Sequence, residues 1–380
     1  MLAPDADVNK NKGIGVYISF PFCQQKCTYC NFSSGVFPAY LKERYRAALE
    51  AEIADEPWPE PPETVYLGGG TPSLLDPDEL GRILGRLPGV PWKEATIEAA
   101  PGTVTRERAA AWRSLGISRV SLGVQSFVAQ EIRATGRTHT ATQVLLEIEA
   151  LRREGLNNIN VDLIAGLPYQ TDQSWRESLD WIEALAPPHV SVYMLEADEA
   201  SRLGREILSG GTRYGAGAVP GDDQVAALYS EAVARLATLG IHRYEISNFA
   251  RPGHESLHNL KYWRREPYRG FGAGAHSFDG LRRWSNVESA WEYVKRWAAG
   301  ASPVDHIELL SDTQSMEERF FVGLRQTAGI APAEREWARF AEPIRRLIDS
   351  GLLERDEERL RLTGRGVLLS NLVFEEFVNP

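Results

Sequence analysis

Six short runs rich in β-branched and apolar residues, at 15–19, 64–67, 95–98, 119–124, 160–164 and 189–193, alternate with amphipathic stretches at 41–53, 77–87, 106–115, 141–153 and 172–185. Strand then helix, repeated, implies a parallel sheet joined by right-handed crossovers. Six units are fewer than the eight of a closed barrel, so the expected fold is an α/β, TIM-like partial (β/α)6 barrel. A chain of 380 residues with 43% hydrophobic side chains exceeds one typical core, which adds a smaller second domain. Ligands of parallel sheets sit at the C-terminal strand ends. Cys23, Gly68, Glu98, Gln125 and Asp162 all fall at or just past such ends.

The only three cysteines are Cys23, Cys27 and Cys30, packed into eight positions, a spacing that points to a shared metal site. A zinc knuckle would bring a fourth Cys or His at paired spacing, and a disulfide scaffold an even count. Closely spaced thiolates on one loop suit an iron-sulfur cubane, with one iron left open to a ligand. Zinc remains the alternative to be decided by the rest of the chain. Gly68-Gly69-Gly70-Thr71-Pro72 follows the second strand and lets the backbone turn sharply with its N–H groups exposed, for a ligand or simply for a tight turn. Glu98 closes the third strand, Gln125 the fourth, and Asp162 lies in the fifth, with Arg137 twelve residues after Gln125. An Arg137–Asp162 salt bridge between strand ends is the plain structural alternative for that pair.

The CxxxCxxC spacing, with Tyr29 just before the last cysteine, resembles the signature of the radical S-adenosylmethionine (SAM) proteins. That resemblance implies a 4Fe-4S cluster whose open iron takes the amino and carboxylate groups of SAM, and a 5'-deoxyadenosyl radical formed by reductive cleavage. Across residues 15–377 the chain is similar to one branch, the oxygen-independent coproporphyrinogen III oxidases and the shorter HemW-type haem chaperones. In that branch the residues matching Tyr17, Gly69 and Glu98 touch the cluster-bound SAM. Those matching Gly70, Thr71, Gln125, Arg137, Asp162 and Tyr29 line a second SAM site in the oxidases. Relatives often carry Asn or Asp where this chain has Ala100, which removes one polar loop anchor. His258-Asn259-x-x-Tyr262 resembles the HNxxY motif of the chaperones, implying His258 as an axial ligand to haem carried as cargo at the barrel mouth, with Asn259 orienting the ring and Tyr262 and Trp263 against the macrocycle. The bland alternative is a hydrogen-bonded histidine in a rim loop. His254 and His258, four residues apart, are a weaker metal pair beside Pro252-Gly253.

The alternation breaks after Glu196. Helices are expected at 198–208 and 224–239, a loop at 213–221, a seventh strand at 243–247 and a helix at 287–299. Gly270 to Ala275 has the look of a phosphate loop without a clear strand-to-helix frame, so a dinucleotide site is not expected and His276 receives no role. The domains read as 1–250, a radical SAM core; 251–312, the haem motif and a glycine-rich barrel edge; and 313–380, a winged-helix-like module closing over the barrel mouth. That module has helices at 314–324, 343–349 and 365–377 and a hairpin of 352–354 with 359–362. Lysine and arginine number 42 against 52 acidic residues, a formal charge of -10, which argues against a nucleic-acid surface. Met1 to Lys12 is polar and no apolar run approaches the roughly 20 residues of a membrane span, so a cytoplasmic protein is expected.

Three functions compete: a haem chaperone serving apo-haemoproteins of respiration, a coproporphyrinogen III dehydrogenase, and a radical methyltransferase using two SAM molecules. The first is favoured because 16 residues precede Tyr17 where the oxidases carry a long extension, because Phe32 stands where they have a further cysteine, and because of His258-Asn259-x-x-Tyr262. Dehydrogenase activity is then expected to be absent and no residue is assigned as catalytic. A flavodoxin or ferredoxin is the electron donor that such a cluster implies.

Overall fold

The computed structural model describes residues 13–378, so the polar stretch Met1 to Lys12 lies outside the described residues. The core is built from β1 (Gly15–Phe20), α1 (Ala39–Asp55), β2 (Thr64–Gly69), α2 (Pro77–Leu84), β3 (Glu94–Ala99), α3 (Arg106–Ser114), β4 (Arg119–Gln125), α4 (Ala129–Ala134), α5 (Ala141–Arg153), β5 (Asn158–Ala165), α6 (Asp172–Leu185) and β6 (His189–Met194). Strands β1 to β6 pair in sequence order, all parallel. Three crossover helices start on a threonine whose hydroxyl accepts an otherwise orphaned N–H: Thr105 for α3, Thr140 for α5 and Thr171 for α6.

Parity along each strand decides what faces what. Val16, Ile18, Val65, Leu67, Ile97, Val120, Leu122, Val161, Leu163, Val190 and Val192 are fully buried beneath the helices. The alternate positions, among them Tyr17, Tyr66, Glu98, Ser121, Asp162 and Tyr193, line a polar lumen. Tyr193, past the last β6 residue that pairs with β8, is 43% exposed, so solvent reaches the rim of the lumen.

After β6 the chain forms α7 (Arg202–Leu208), α8 (Asp222–Thr238), β7 (His242–Arg243), β8 (Asn248–Ala250), α9 (Leu257–Trp263), β9 (Tyr268–Phe271), β10 (His276–Phe278), β11 (Arg282–Asn286), α10 (Ala290–Ala298) and β12 (Val304–Leu309). The expected loop at 213–221 contains a short 3-10 turn, Arg213–Ala218. The seventh strand expected at 243–247 is instead two short strands around a turn. Tyr244 and Glu245 leave the ladder because their side chains are taken inward, the Tyr244 hydroxyl meeting His189 Nε2 at 2.9 Å and accepting from the Ser256 N–H at 3.1 Å. The glycine-rich segment also departs from expectation. Its first half is β9, which pairs parallel with β1, so the sheet is open and continues through β10, β11 and β12.

The C-terminal part comprises α11 (Asp312–Gly323), α12 (Glu334–Arg339), α13 (Ala341–Asp349), a hairpin of β13 (Leu353–Asp356) and β14 (Arg359–Leu362), α14 (Gly364–Leu368) and α15 (Ser370–Glu375). Phe320, Phe340 and Phe377 stack at its centre with ring centroids 4.4 to 5.5 Å apart. It leans on α9 and on the turn before β8. Gln326 donates to the Trp263 carbonyl at 3.3 Å, and the Thr327 N–H to the Tyr244 carbonyl at 2.9 Å. Among the described residues no helix is long and apolar enough to cross a membrane.

Candidate functional site

The cysteine loop springs from the C-terminal end of β1. Its two stems are tied by Cys23 N–H to the Gly35 carbonyl at 2.8 Å and Gly35 N–H to the Pro21 carbonyl at 2.9 Å. Neighbouring elements grip its crown: Thr28 N–H reaches the Thr135 carbonyl just after α4, and the Leu203 N–H of α7 reaches the Thr28 carbonyl at 2.8 Å. All three thiols are free and half-buried. Arg137 donates from Nε to Cys27 Sγ at 3.2 Å and from Nη1 to the Gly123 carbonyl at 2.6 Å, placing a cation beside the sulfur. Burial pushes the Cys23 thiol and the Tyr29 phenol up. Among the described residues no three His, Cys, Asp or Glu side chains are arranged around a single metal ion. The donor set of three loop thiols with an adjacent guanidinium fits a 4Fe-4S cluster, which Cys23, Cys27 and Cys30 would hold. Such a cluster supplies one-electron reducing power and one iron without a protein ligand.

The glycine triplet lies against this loop. Gly69 has φ of 103°, a conformation that favours glycine. A Cβ at Gly70 would fall 2.7 Å from the Pro21 carbonyl carbon and 2.8 Å from Phe22 N, so backbone, not a ligand, forbids a side chain there. Thr71 N–H bonds the Phe22 carbonyl at 2.9 Å. A Cβ at Gly68 would meet Tyr17 and Glu98 at 3.0 and 3.1 Å, which shows how closely those two converge. Desolvation, with Asp162 facing it, raises the Glu98 carboxyl to about 7. Gln125 stands at φ of 72° where the β4–β5 register shifts, and its amide lies 3.0 Å from the Cβ position of Gly123. Asp162 accepts from Asn160 at 2.6 Å and Ser121 at 3.3 Å. It does not pair with Arg137, which is spent on Cys27 and Gly123.

Sequence reasoning missed three supporting residues. Tyr66 donates to Glu98 at 3.0 Å from the strand position paired with Tyr17, a register that only the fold reveals. Ser73 and Glu147 hold the loop after β3, through Ala100 N–H at 3.3 Å, Thr103 Oγ1 at 2.7 Å and Gly102 N–H at 2.6 Å. They supply the anchorage that Ala100 lacks.

The histidine motif lies at the opposite end of the strands, and its expected place at the mouth is corrected. Glu94, the first residue of β3, accepts the N–H groups of Leu257 and His258, both at 3.0 Å, and so fixes the start of α9 beneath the sheet. His258 is 1% exposed. Its Nδ1 meets Thr64 Oγ1 at 2.9 Å, its Nε2 meets the Tyr262 hydroxyl at 2.8 Å, and its ring stacks on Tyr66 with centroids 5.2 Å apart. Burial, then the nearby Lys261 and Arg119, lowers its pKa to about 3, so the ring is neutral. Thr64 and Tyr262, not Asn259, orient the ring. The Asn259 N–H bonds the Ser256 hydroxyl at 3.3 Å, and Trp263 packs under Arg325. The glycine-rich segment is also spent on structure: Gly270 N–H bonds Ser277, Gly272 N–H bonds Glu52, and Ala273 N–H bonds Tyr45, at 2.9, 2.7 and 2.7 Å.

Residues 17–182 match the model of the radical SAM superfamily and 310–369 that of the HemN C-terminal domain. The chain is 33% identical to the heme chaperone HemW of Bacillus subtilis (strain 168), covering 95% of this chain and 98% of that protein. It is 35% identical to the heme chaperone HemW of Mycobacterium tuberculosis (strain H37Rv), covering 94% and 93%. Its fold matches the radical SAM enzyme coproporphyrinogen III oxidase (HemN) of Escherichia coli with a TM-score of 0.84 at 23% identity, over 97% of this chain and 90% of that one. The identity extends over 98% and 93% of the two chaperones, and so the chain belongs to the HemW heme-chaperone family of radical SAM proteins.

Proposed function

We propose that this protein is a haem carrier on a radical SAM scaffold that takes up haem and hands it to apo-haemoproteins, those of respiration being the expected recipients. The observation that carries this is similarity to heme chaperones over essentially the full length of both chains. In this reading Cys23, Cys27 and Cys30 hold a 4Fe-4S cluster. Tyr17, Gly69 and Glu98 meet the SAM on its open iron, and Tyr29, Gly70, Thr71, Gln125, Arg137 and Asp162 complete the surrounding wall. The free thiols, the Arg137 cation at Cys27 and the convergence of Tyr17, Gly68 and Glu98 support it. A flavodoxin or ferredoxin would reduce the cluster, in the cytoplasm.

Haem ligation by His258 fits the neutral state of its ring. It requires the Nε2 contact with Tyr262 to open, and since His258 is buried and α9 is tied to Thr64 and Glu94 through it, haem uptake and movement of α9 go together. The functional test loads the anaerobically reconstituted protein with haem, adds an apo-haemoprotein, and follows the absorbance of both. Transfer faster than from free haem in buffer is expected. Transfer no faster than that, or steady porphyrin formation from coproporphyrinogen with SAM and a reductant, contradicts the carrier reading.

A further inference from the structure

Arg119 opens β4 with its side chain in the lumen and is 1% exposed. A guanidinium is charged at every working pH, and in proteins it is buried with a partner. Among the described residues Arg119 forms no ion pair, and its Nε is buried without a hydrogen-bond partner. Two neighbours share this condition. Thr96 is paired with Arg119 across β3 and β4, and Asn158 is paired with it across β4 and β5. Thr96 Oγ1 and Asn158 Oδ1 are likewise buried and unpartnered. Three orphaned polar groups in one cross-strand row are out of keeping with the rest of the lumen, where Ser121, Asn160, Asp162, His189 and Ser191 are all bonded.

The guanidinium is carried by the first residue of β4. It acts electrostatically on Glu98, Asp162 and Tyr66 toward the mouth and on His189 and His258 toward the floor. A guanidinium with its Nε unpartnered, beside an unpartnered hydroxyl, matches a carboxylate: one oxygen accepts from Arg119 Nε and the other from the Thr96 hydroxyl, while Asn158 Oδ1, itself an acceptor, is left to water. The floor is shut by α9, so access goes with the movement of α9 that haem ligation by His258 requires.

We propose that the barrel lumen is a carboxylate site centred on Arg119 with Thr96 beside it, and that its occupant is a propionate arm of the porphyrin, an identification that rests on the haem-carrier reading above. One arm would then be held in the lumen by a group other than the cluster and SAM residues, with the ring on the His258 side that movement of α9 exposes.

The test compares haem with its dimethyl ester, which keeps the ring and iron but has no free carboxylate. The wild type is expected to bind the ester about tenfold or more weakly, the range of a charge-assisted hydrogen bond. Arg119→Met is expected to bind both alike, with the cluster still assembled. A thermal-melt arm uses acetate as a bare carboxylate on haem-free protein. Acetate, set against chloride at equal ionic strength, raises the Tm of the wild type and not of Arg119→Met. Equal binding of haem and ester by the wild type, with no response to acetate, overturns the site and leaves ordered water as the partner of Arg119. A response to acetate with equal porphyrin binding keeps the site and removes the propionate. The two wild-type arms need no variant to fold. Should neither porphyrin bind, the carrier reading fails, while the acetate arm alone still decides the site.

Discussion

The two ends of the parallel strands, about 17 Å apart over six residues, carry similar residue types in opposite condition. At the mouth, three thiols are free, Glu98 is poised near neutrality and loops from several elements converge on them. At the floor, His258, Tyr262, Lys261 and Glu94 are buried or nearly so, and their polar atoms are committed to one another and to backbone: Lys261 Nζ alone holds the Gly13 carbonyl at 2.7 Å, Glu266 at 3.2 Å and Glu63. A motif at the mouth is ready for a ligand. The motif at the floor closes the barrel first and must be opened before its imidazole can reach iron.

The sharpest way to separate the two ends is to remove one group from each. Cys27→Ala leaves two thiolates, and iron after anaerobic reconstitution should fall from about four per chain to background, with cooperative unfolding retained. Stoichiometric zinc in the wild type, with no iron, would break the account of the mouth. His258→Ala should do the converse. It deletes a stacked ring and leaves Thr64 and Tyr262 facing a cavity, for a loss of about 2–4 kcal/mol in urea unfolding, while the cluster still assembles. Unchanged stability with lost haem binding would make the floor a ready ligand site.

Protonation distinguishes the ends further. The His258 pKa is depressed from 6.5 to about 3, so its contribution to stability is present above about 6.5 and is lost as pH falls toward 3. Each depressed histidine contributes up to about 1.4 kcal/mol per pH unit over that window, and the slope should lessen by one proton in His258→Ala. The Glu98 carboxyl is raised instead, so its charged form appears only as pH rises through about 7. SAM, with its ammonium group, should bind up to about tenfold more weakly per unit below 7 and level off above it; Glu98→Gln should flatten that profile. An unchanged profile in the variant detaches Glu98 from SAM. The smallest effect is expected from Tyr66→Phe, which keeps the stack on His258 and loses the bond to Glu98, at about 1 kcal/mol. A loss as large as that of His258→Ala would show that the two ends are tied through Tyr66.

Much of the mouth was legible in the sequence. Runs such as 160–164 are strands because β-branched residues are bracketed by helical patterns, and their order gave the strand ends on which Cys23, Glu98 and Asp162 stand. The floor was not legible, because its location depends on strand direction. β8 runs antiparallel to β6 and carries the chain back to the strand starts, which puts α9 below the sheet. Nothing in Asn248-Phe249-Ala250 states that direction. β9 escaped for a related reason: its glycine reads as a loop, and only the close passage of the chain beside Gly270 explains why a strand there carries no side chain. Arg119 only opens the run 119–124 in the sequence, and the lumen it faces exists only once β1 to β6 are assembled.

The most direct measurement of the central claim is an absorbance titration of the anaerobically reconstituted protein with haem. A saturable shift of the haem absorption band that ends at one haem per chain is the predicted result, with no porphyrin formed when coproporphyrinogen, SAM and a reductant are supplied. A shift no larger than that given by an unrelated protein of similar charge, or sustained porphyrin formation, would contradict it.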